Sequence, residues 1–151
     1  MTDRTMTYFR ATDPLPLQSA EQNKLHEFYE RLAQGRLVTT ACARCRRMPW
    51  PPRGFCPACV SDEFEWVDLP TQGRVHGFTI QETGVPAGFN VPRVFAMVTV
   101  KDVRIFAPVV GPDATTVTVG SPVRLSPLRV ADDVTGRPRY LVAFTLAGTP
   151  G

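Results

Sequence analysis

The 151-residue chain can build one modest core, or a small module leaning on a larger one, but not two full domains. With 43% hydrophobic and 21% charged residues it lacks the signature of disorder, and its net charge of +3 comes from scattered Lys and Arg that demand no polyanion. No stretch approaches the roughly 20 apolar residues that span a bilayer and no apolar leader is present, so the expectation is no membrane and a cytoplasmic location.

Residues Met1 to Leu17 are polar, contain Pro14 and Pro16, and read as an extended arm that orders on a partner. Ser19 and Gln22 suggest a capping box, Leu25, Phe28, Tyr29 and Leu32 fall at i, i+3, i+4 and i+7, and Gly35 supplies a stop. The spacing predicts an amphipathic helix over 20–34. The block from Arg36 to Phe64 holds all four cysteines with Pro49, Pro51, Pro52 and Pro57, and reads as a loop-built module. Five strands follow, over 73–81, 94–101, 103–110, 122–130 and 139–146. In the last, Tyr140, Val142, Phe144 and Leu146 share a face, whereas Val94 to Val100 is apolar on both faces and must be covered twice. Pro108 and Pro127 suggest edges or bulges, and Lys101-Asp102 a hairpin turn. Five short strands favour a small OB-type barrel over a sandwich. The expected fold is mainly β with an N-terminal α-helix. Its units are an arm and helix (1–35), a cysteine-bearing module (36–68) and a five-stranded OB-type barrel (69–151). The long connection from Glu82 to Arg93, with Gly84, Pro86, Gly88 and Pro92, carries Phe89 at its tip and suits binding.

Cys42, Cys45, Cys56 and Cys59 read C-x2-C-x10-C-x2-C, two pairs whose spacers let a turn aim both sulfurs at one ion. In a reducing compartment such a set holds metal rather than forming disulfides. Four thiolates at about 2.3 Å close a tetrahedral shell with no position for water, so one Zn2+ here is structural. Iron suits the same shell; a thioredoxin-like pair would need a βαβ setting that the sequence lacks. Arg44, Arg46 and Arg47 offset the thiolate charge.

No catalytic constellation emerges. His26 and His76 stand alone, the cysteines are committed to metal, and neither G-x-S-x-G, a P-loop nor a dinucleotide fingerprint occurs. Asp132 and Asp133 read as turn formers before Thr135-Gly136. Phe78, Phe95 and Phe106 read as core, which argues against the rival of a nucleic-acid-binding module despite a pI near 8.9.

Phe28-Tyr29, Gly35-Arg36-Leu37, Cys42-Ala43-Arg44-Cys45, Pro51-Pro52, Cys56-Pro57-Ala58-Cys59, Trp66, Gly73-Arg74-Val75 and Thr79 together resemble one family. It joins an N-terminal helix, a rubredoxin-like zinc ribbon and an acyl-CoA-associated OB-fold in small accessory subunits of thiolase-superfamily enzymes. The likeness covers about residues 20–147; its departure is at Lys101-Asp102, where Val103 follows directly in place of an acidic-Gly turn. The resemblance implies a chain that is no enzyme on its own but joins a hetero-oligomer with a thiolase, a lipid-transfer-protein-like aldolase or a hydroxymethylglutaryl-CoA synthase. Some relatives accompany hydratases. It also implies a coenzyme A ester bound with the partner. Phe28, Tyr29, Trp50 and Phe89 are then the candidates for the partner interface, and no arginine is assigned to coenzyme A.

Overall fold

The computed structural model describes residue 13 and residues 15–86 and 89–148. The expected arm over residues 1–12, Pro14, and Gly88 of the long connection lie outside them.

Among the described residues one α-helix, α1 (His26–Ala33), is followed by nine strands, with a single 3-10 turn at Ala114–Thr116. β1 (Leu37–Cys42) and β2 (Phe64–Leu69) form an antiparallel hairpin whose two ends meet at the cysteine module. β3 (Gln72–Gln81), β4 (Arg93–Val100), β5 (Val103–Val110), β9 (Phe144–Leu146) and β6 (Pro122–Leu125) close a barrel in that order, and β5 runs parallel to β9. This is the expected five-stranded OB-type barrel. β7 (Leu128–Val130) and β8 (Arg139–Leu141) form a separate ribbon between β6 and β9.

The barrel core gathers alternate residues, as strand pleating requires: Val94, Ala96, Val98 and Val100 from β4, and Val103, Ile105, Ala107 and Val109 from β5. Leu37 of β1 and Leu69 of β2 belong to the same core, while Val38 of β1 packs with Phe28 and Leu32 of α1. The β1–β2 hairpin therefore joins helix to barrel. Close approach dictates Gly73, because a Cβ there would lie 2.6 Å from the Thr99 carbonyl oxygen.

The helix is shorter than the 20–34 that its periodicity predicts. Asn23 accepts the Leu25 N–H at 2.8 Å and donates to the Leu17 carbonyl at 2.6 Å, so it competes for the groups that a preceding helical turn would use. Ser19 instead closes its own turn, its carbonyl accepting the N–H groups of Gln22 and Asn23. The predicted stop is present: Gly35 takes φ 80°, its N–H bonds Leu32 and that of Arg36 bonds Arg31, which is a Schellman pattern.

The last two predicted strands are each broken in two. Pro127 lies in the gap between β6 and β7, where its missing N–H is harmless. Val142 and Ala143 separate β8 from β9, so Tyr140 and Val142 pack against the helix cluster while Phe144 enters the barrel. Lys101-Asp102 does form a two-residue hairpin between paired Val100 and Val103, with Lys101 at φ 51°.

Candidate metal centre and docking face

The four cysteine sulfurs lie within 4.8 Å of one another, with Cys42–Cys59 at 3.6 Å and Cys45–Cys56 at 3.4 Å. A tetrahedron of sulfurs about 2.3 Å from a central ion has edges of about 3.8 Å, so the donor set fits a metal of zinc's size and preference.

Two copies of one turn build it. In the first, Cys42 donates its N–H to Arg47, Arg46 donates to Cys42, and Arg46 adopts φ 67°. In the second, Cys56 donates to Ser61, Val60 donates to Cys56, and Val60 adopts φ 64°. Each turn aims an N–H at a sulfur: Cys45 N to Cys42 Sγ at 3.5 Å and Ala58 N to Cys56 Sγ at 3.4 Å. A β-branched valine in the left-handed region is strained, and the turn that places Cys56 and Cys59 imposes it.

Charge follows geometry. The backbone N–H groups of Cys59 and Ala58 lower the Cys56 thiol to about 6, and that of Cys45 lowers Cys42. At Cys59 the Ser61 N–H lowers the thiol, but burial and the neighbouring sulfurs outweigh it and raise it to about 11. A fourth negative sulfur beside the others needs a cation, which is the chemistry of a metal centre.

The metal loops also support an apolar groove of about 620 Å³. One wall is Leu25, Phe28 and Tyr29 from the helical segment, and a second is Trp50, Pro51 and Pro52, with the Trp50–Pro51 peptide cis. The third is the outer face of the barrel, Met97 and Phe106, with Leu141 and Val142 beyond it; Arg104 is the one charged side chain in the lining. Phe106 stacks on Phe95 at 5.4 Å, Phe95 meets Phe89 edge-on at 5.7 Å, and the Arg93 guanidinium lies 4.9 Å over Phe89.

These positions correct one expectation. Phe106 is 63% exposed and Phe78 39% exposed, so neither is core; Phe95 is buried, but by aromatic neighbours on the outside of the barrel. The register explains it: Phe106 pairs with Met97, and both point away from the core that Ile105 and Val98 fill. Of the interface candidates, Tyr29 and Trp50 border the groove half-buried and Phe89 covers the outer face. Phe28 is only 6% exposed, its ring held at 5.0 Å by Tyr29 and 5.9 Å by Trp50. Sequence pattern does not mark Met97 or Leu141 and places Val142 only on the alternating face of the last strand; the signal for β5 lies in its alternation of Arg104, Phe106 and Pro108. Sequence pattern also misses the anchor of the N-terminal segment. Arg139, 2% exposed, binds both carboxylate oxygens of Asp13 and donates to the carbonyls of Leu15, Ala131 and Asp132. Gln18 meanwhile pairs with both backbone groups of Tyr140.

Two family models match adjoining stretches of the chain: the rubredoxin-like zinc ribbon domain of ChsH2 over residues 30–65 and the C-terminal OB-fold domain of ChsH2 over 66–126. The chain belongs to the ChsH2 family of zinc-ribbon and OB-fold proteins. Among solved structures it is similar to a chain of the Ltp2-ChsH2(DUF35) aldolase, with a TM-score of 0.68 and 25% identity over 91% of this chain and all of that one. A DUF35-family protein of unknown function from Sulfolobus solfataricus shares the fold, at 16% identity and TM-score 0.50, over 93% of this chain and 97% of that one. A probable enoyl-CoA hydratase alpha subunit from Thermomonospora curvata is 28% identical over 109 residues, 72% of this chain and 34% of the relative. The benzoylsuccinyl-CoA thiolase subunit BbsA of Thauera aromatica is 32% identical over 71 residues, 46% of this chain and 49% of the relative. The chain thus spans about a third to half of the curated relatives that it matches. Among the described residues no helix is long and apolar enough to cross a membrane.

Proposed function

We propose that this chain is a non-catalytic, zinc-stabilised accessory subunit of an acyl-CoA-processing enzyme, and that its catalytic partner is a thiolase-superfamily chain, either a thiolase or a lipid-transfer-protein-like aldolase. The observation that carries the reading is the likeness along the whole length of a chain from the Ltp2-ChsH2(DUF35) aldolase. The thiolase subunit among the curated relatives supports it.

In this reading the arm and helix (1–35), ribbon (36–68) and barrel (69–151) divide the work. Cys42, Cys45, Cys56 and Cys59 hold one zinc ion in a closed shell, which cross-links the two metal turns and offers no site to a substrate. The ribbon holds Trp50 against Phe28, so the metal fixes the groove wall at a distance. Tyr29, Trp50, Phe106 and Phe89 then form an apolar docking face, with Arg104 and Arg93 as the charges on it. The coenzyme A ester lies with the partner, and this chain borders it. The hydratase subunit among the relatives favours a second reading, in which the partner is an enoyl-CoA hydratase.

Affinity capture of the full chain from its source cell, with the co-eluting chain identified by mass spectrometry, tests both readings. A thiolase-superfamily chain in fixed stoichiometry is expected, and Phe106→Asp should release it while leaving one zinc per chain. A hydratase chain would move the assignment to the second reading. A monomer that binds single-stranded nucleic acid in a salt-sensitive way would overturn both.

A further inference from the structure

β3 is covered unequally by its two neighbours. β4 pairs with it from Arg74 to Gln81, but β6 reaches only from Gln72 to Arg74, and Gly120 and Ser121 complete that side at Val75. Among the described residues no hydrogen bond reaches the β6-side edge of β3 from His76 to Gln81.

The same gap explains two misplaced side chains. Phe78 and Ile80 pair with Ala96 and Val94, which are core residues, and so lie on the inner side of the sheet. Each is nevertheless 39% exposed, because the wall that would close over them stops at Val75.

Natural sheets guard such edges with prolines, charges or bulges, since an open edge recruits another strand. β5 carries Pro108 and Arg104. β3 carries neither a proline nor a charge from Gly77 to Gln81, and its one bulge, at Val75/Gly77, ends where the open edge begins.

We propose that this edge pairs with the same edge of a second copy of the chain, antiparallel about Thr79. In that register Phe78 meets Ile80 of the second copy and His76 meets Glu82 of the second copy, each contact occurring twice through the two-fold axis. The segment His76-Gly77-Phe78-Thr79-Ile80-Gln81-Glu82, centred on Thr79, carries an imidazole at one end, a carboxylate at the other and apolar side chains between, and is therefore complementary to its own reverse. The pairing gives partners to the open backbone groups and covers both exposed side chains. It leaves the Tyr29–Trp50–Phe106 face free, and so does not depend on the identity of any catalytic subunit.

Sedimentation of the zinc-loaded full chain, with amide exchange followed at low and high concentration, tests the proposal. The expected results are a monomer–dimer equilibrium and amides at Gly77 to Gln81 whose protection rises with concentration. Ile80→Lys places one lysine on each side of the axis and should weaken self-association by about 30-fold, with zinc content and circular dichroism unchanged. Phe78→Lys provides the second variant should the first fail to fold. A chain that stays monomeric up to its solubility limit overturns the proposal, as does a dimer whose Gly77–Gln81 amides exchange at the monomer's rate.

Discussion

Stripping the zinc should unfold more than the ribbon. β1 ends in Cys42 and contributes Leu37 to the barrel core and Val38 to the helix cluster; β2 leaves the module and contributes Leu69. Without the ion, the 21 residues between the two strands lose the cross-link that closes them (43 to 63), and the hairpin loses its fixed end. Withdrawing a buried leucine costs about 2–5 kcal/mol, so losing Leu37 and Leu69 together costs about 4–10. That is comparable with the total stability of about 5–15 kcal/mol for such a domain. A chain of this size shifts by about 2–4 °C per kcal/mol, so the apo form should melt at least about 8 °C lower, if it folds at all. Thermal melts with a chelator, and amide exchange at Val98 and Ile105 deep in the barrel, read the outcome. Cys56→Ser, at a buried ligand, should reproduce it. Should the chelated protein lose its ribbon while Val98 and Ile105 keep their protection, the coupling through Leu37 and Leu69 is wrong.

Gly73→Ala drives a methyl onto the Thr99 carbonyl, 2.6 Å away, and should destabilise by about 1–3 kcal/mol in urea unfolding, because backbone there cannot yield without opening β3 from β4. Lys101→Gly relieves the left-handed turn residue at φ 51° and should stabilise by up to about 1 kcal/mol in the same assay. Arg139→Met leaves three backbone carbonyls without their donor, about 1 kcal/mol each, and should expose Asp13 to Gln18 to limited proteolysis. Arg137 holds the Glu21 carboxyl down to about 2 from an ordinary 4.5. A depressed carboxylate stabilises the fold above its unfolded value, so this contribution is complete above about pH 4.5 and disappears as pH falls toward 2. An NMR titration should find the low midpoint, and Arg137→Ala should return it to the ordinary range.

Much of this architecture is written locally in the chain. The two C-x2-C spacers announce the metal turns, Gly35 announces the helix end, and the double-sided apolar run at Val94–Val100 announces a strand covered on both faces. What local pattern misses is competition and distance. The helical stripe at Leu25 is real, yet the Asn23 side chain takes the backbone groups that would extend the helix backwards. The alternation of Tyr140, Val142, Phe144 and Leu146 is real too, but the chain bends at Val142–Ala143 and divides it between two clusters. Nothing near Arg139 in sequence forecasts a buried guanidinium, because its carboxylate partner is Asp13, at the opposite end of the chain.

The same reasoning explains why the proposed docking face was half legible. Period-two alternation identifies Phe95 and Met97 as a second apolar face of β4, but it cannot say whether that face is covered from within or from outside. Here the coverage is mixed. Phe89 and Phe106 cover Phe95 within the chain, whereas Phe106 itself, Tyr29 and Trp50 remain on the surface around a groove. A monomer gains nothing from holding three aromatic rings at a groove mouth against water, and one of them, Trp50, is carried by the loop between the two cysteine pairs. In the proposed assembly the metal turns and the aromatic face are therefore one device: a bound ion would order the loop that carries Trp50, and Trp50 with Tyr29 and Phe106 borders the groove.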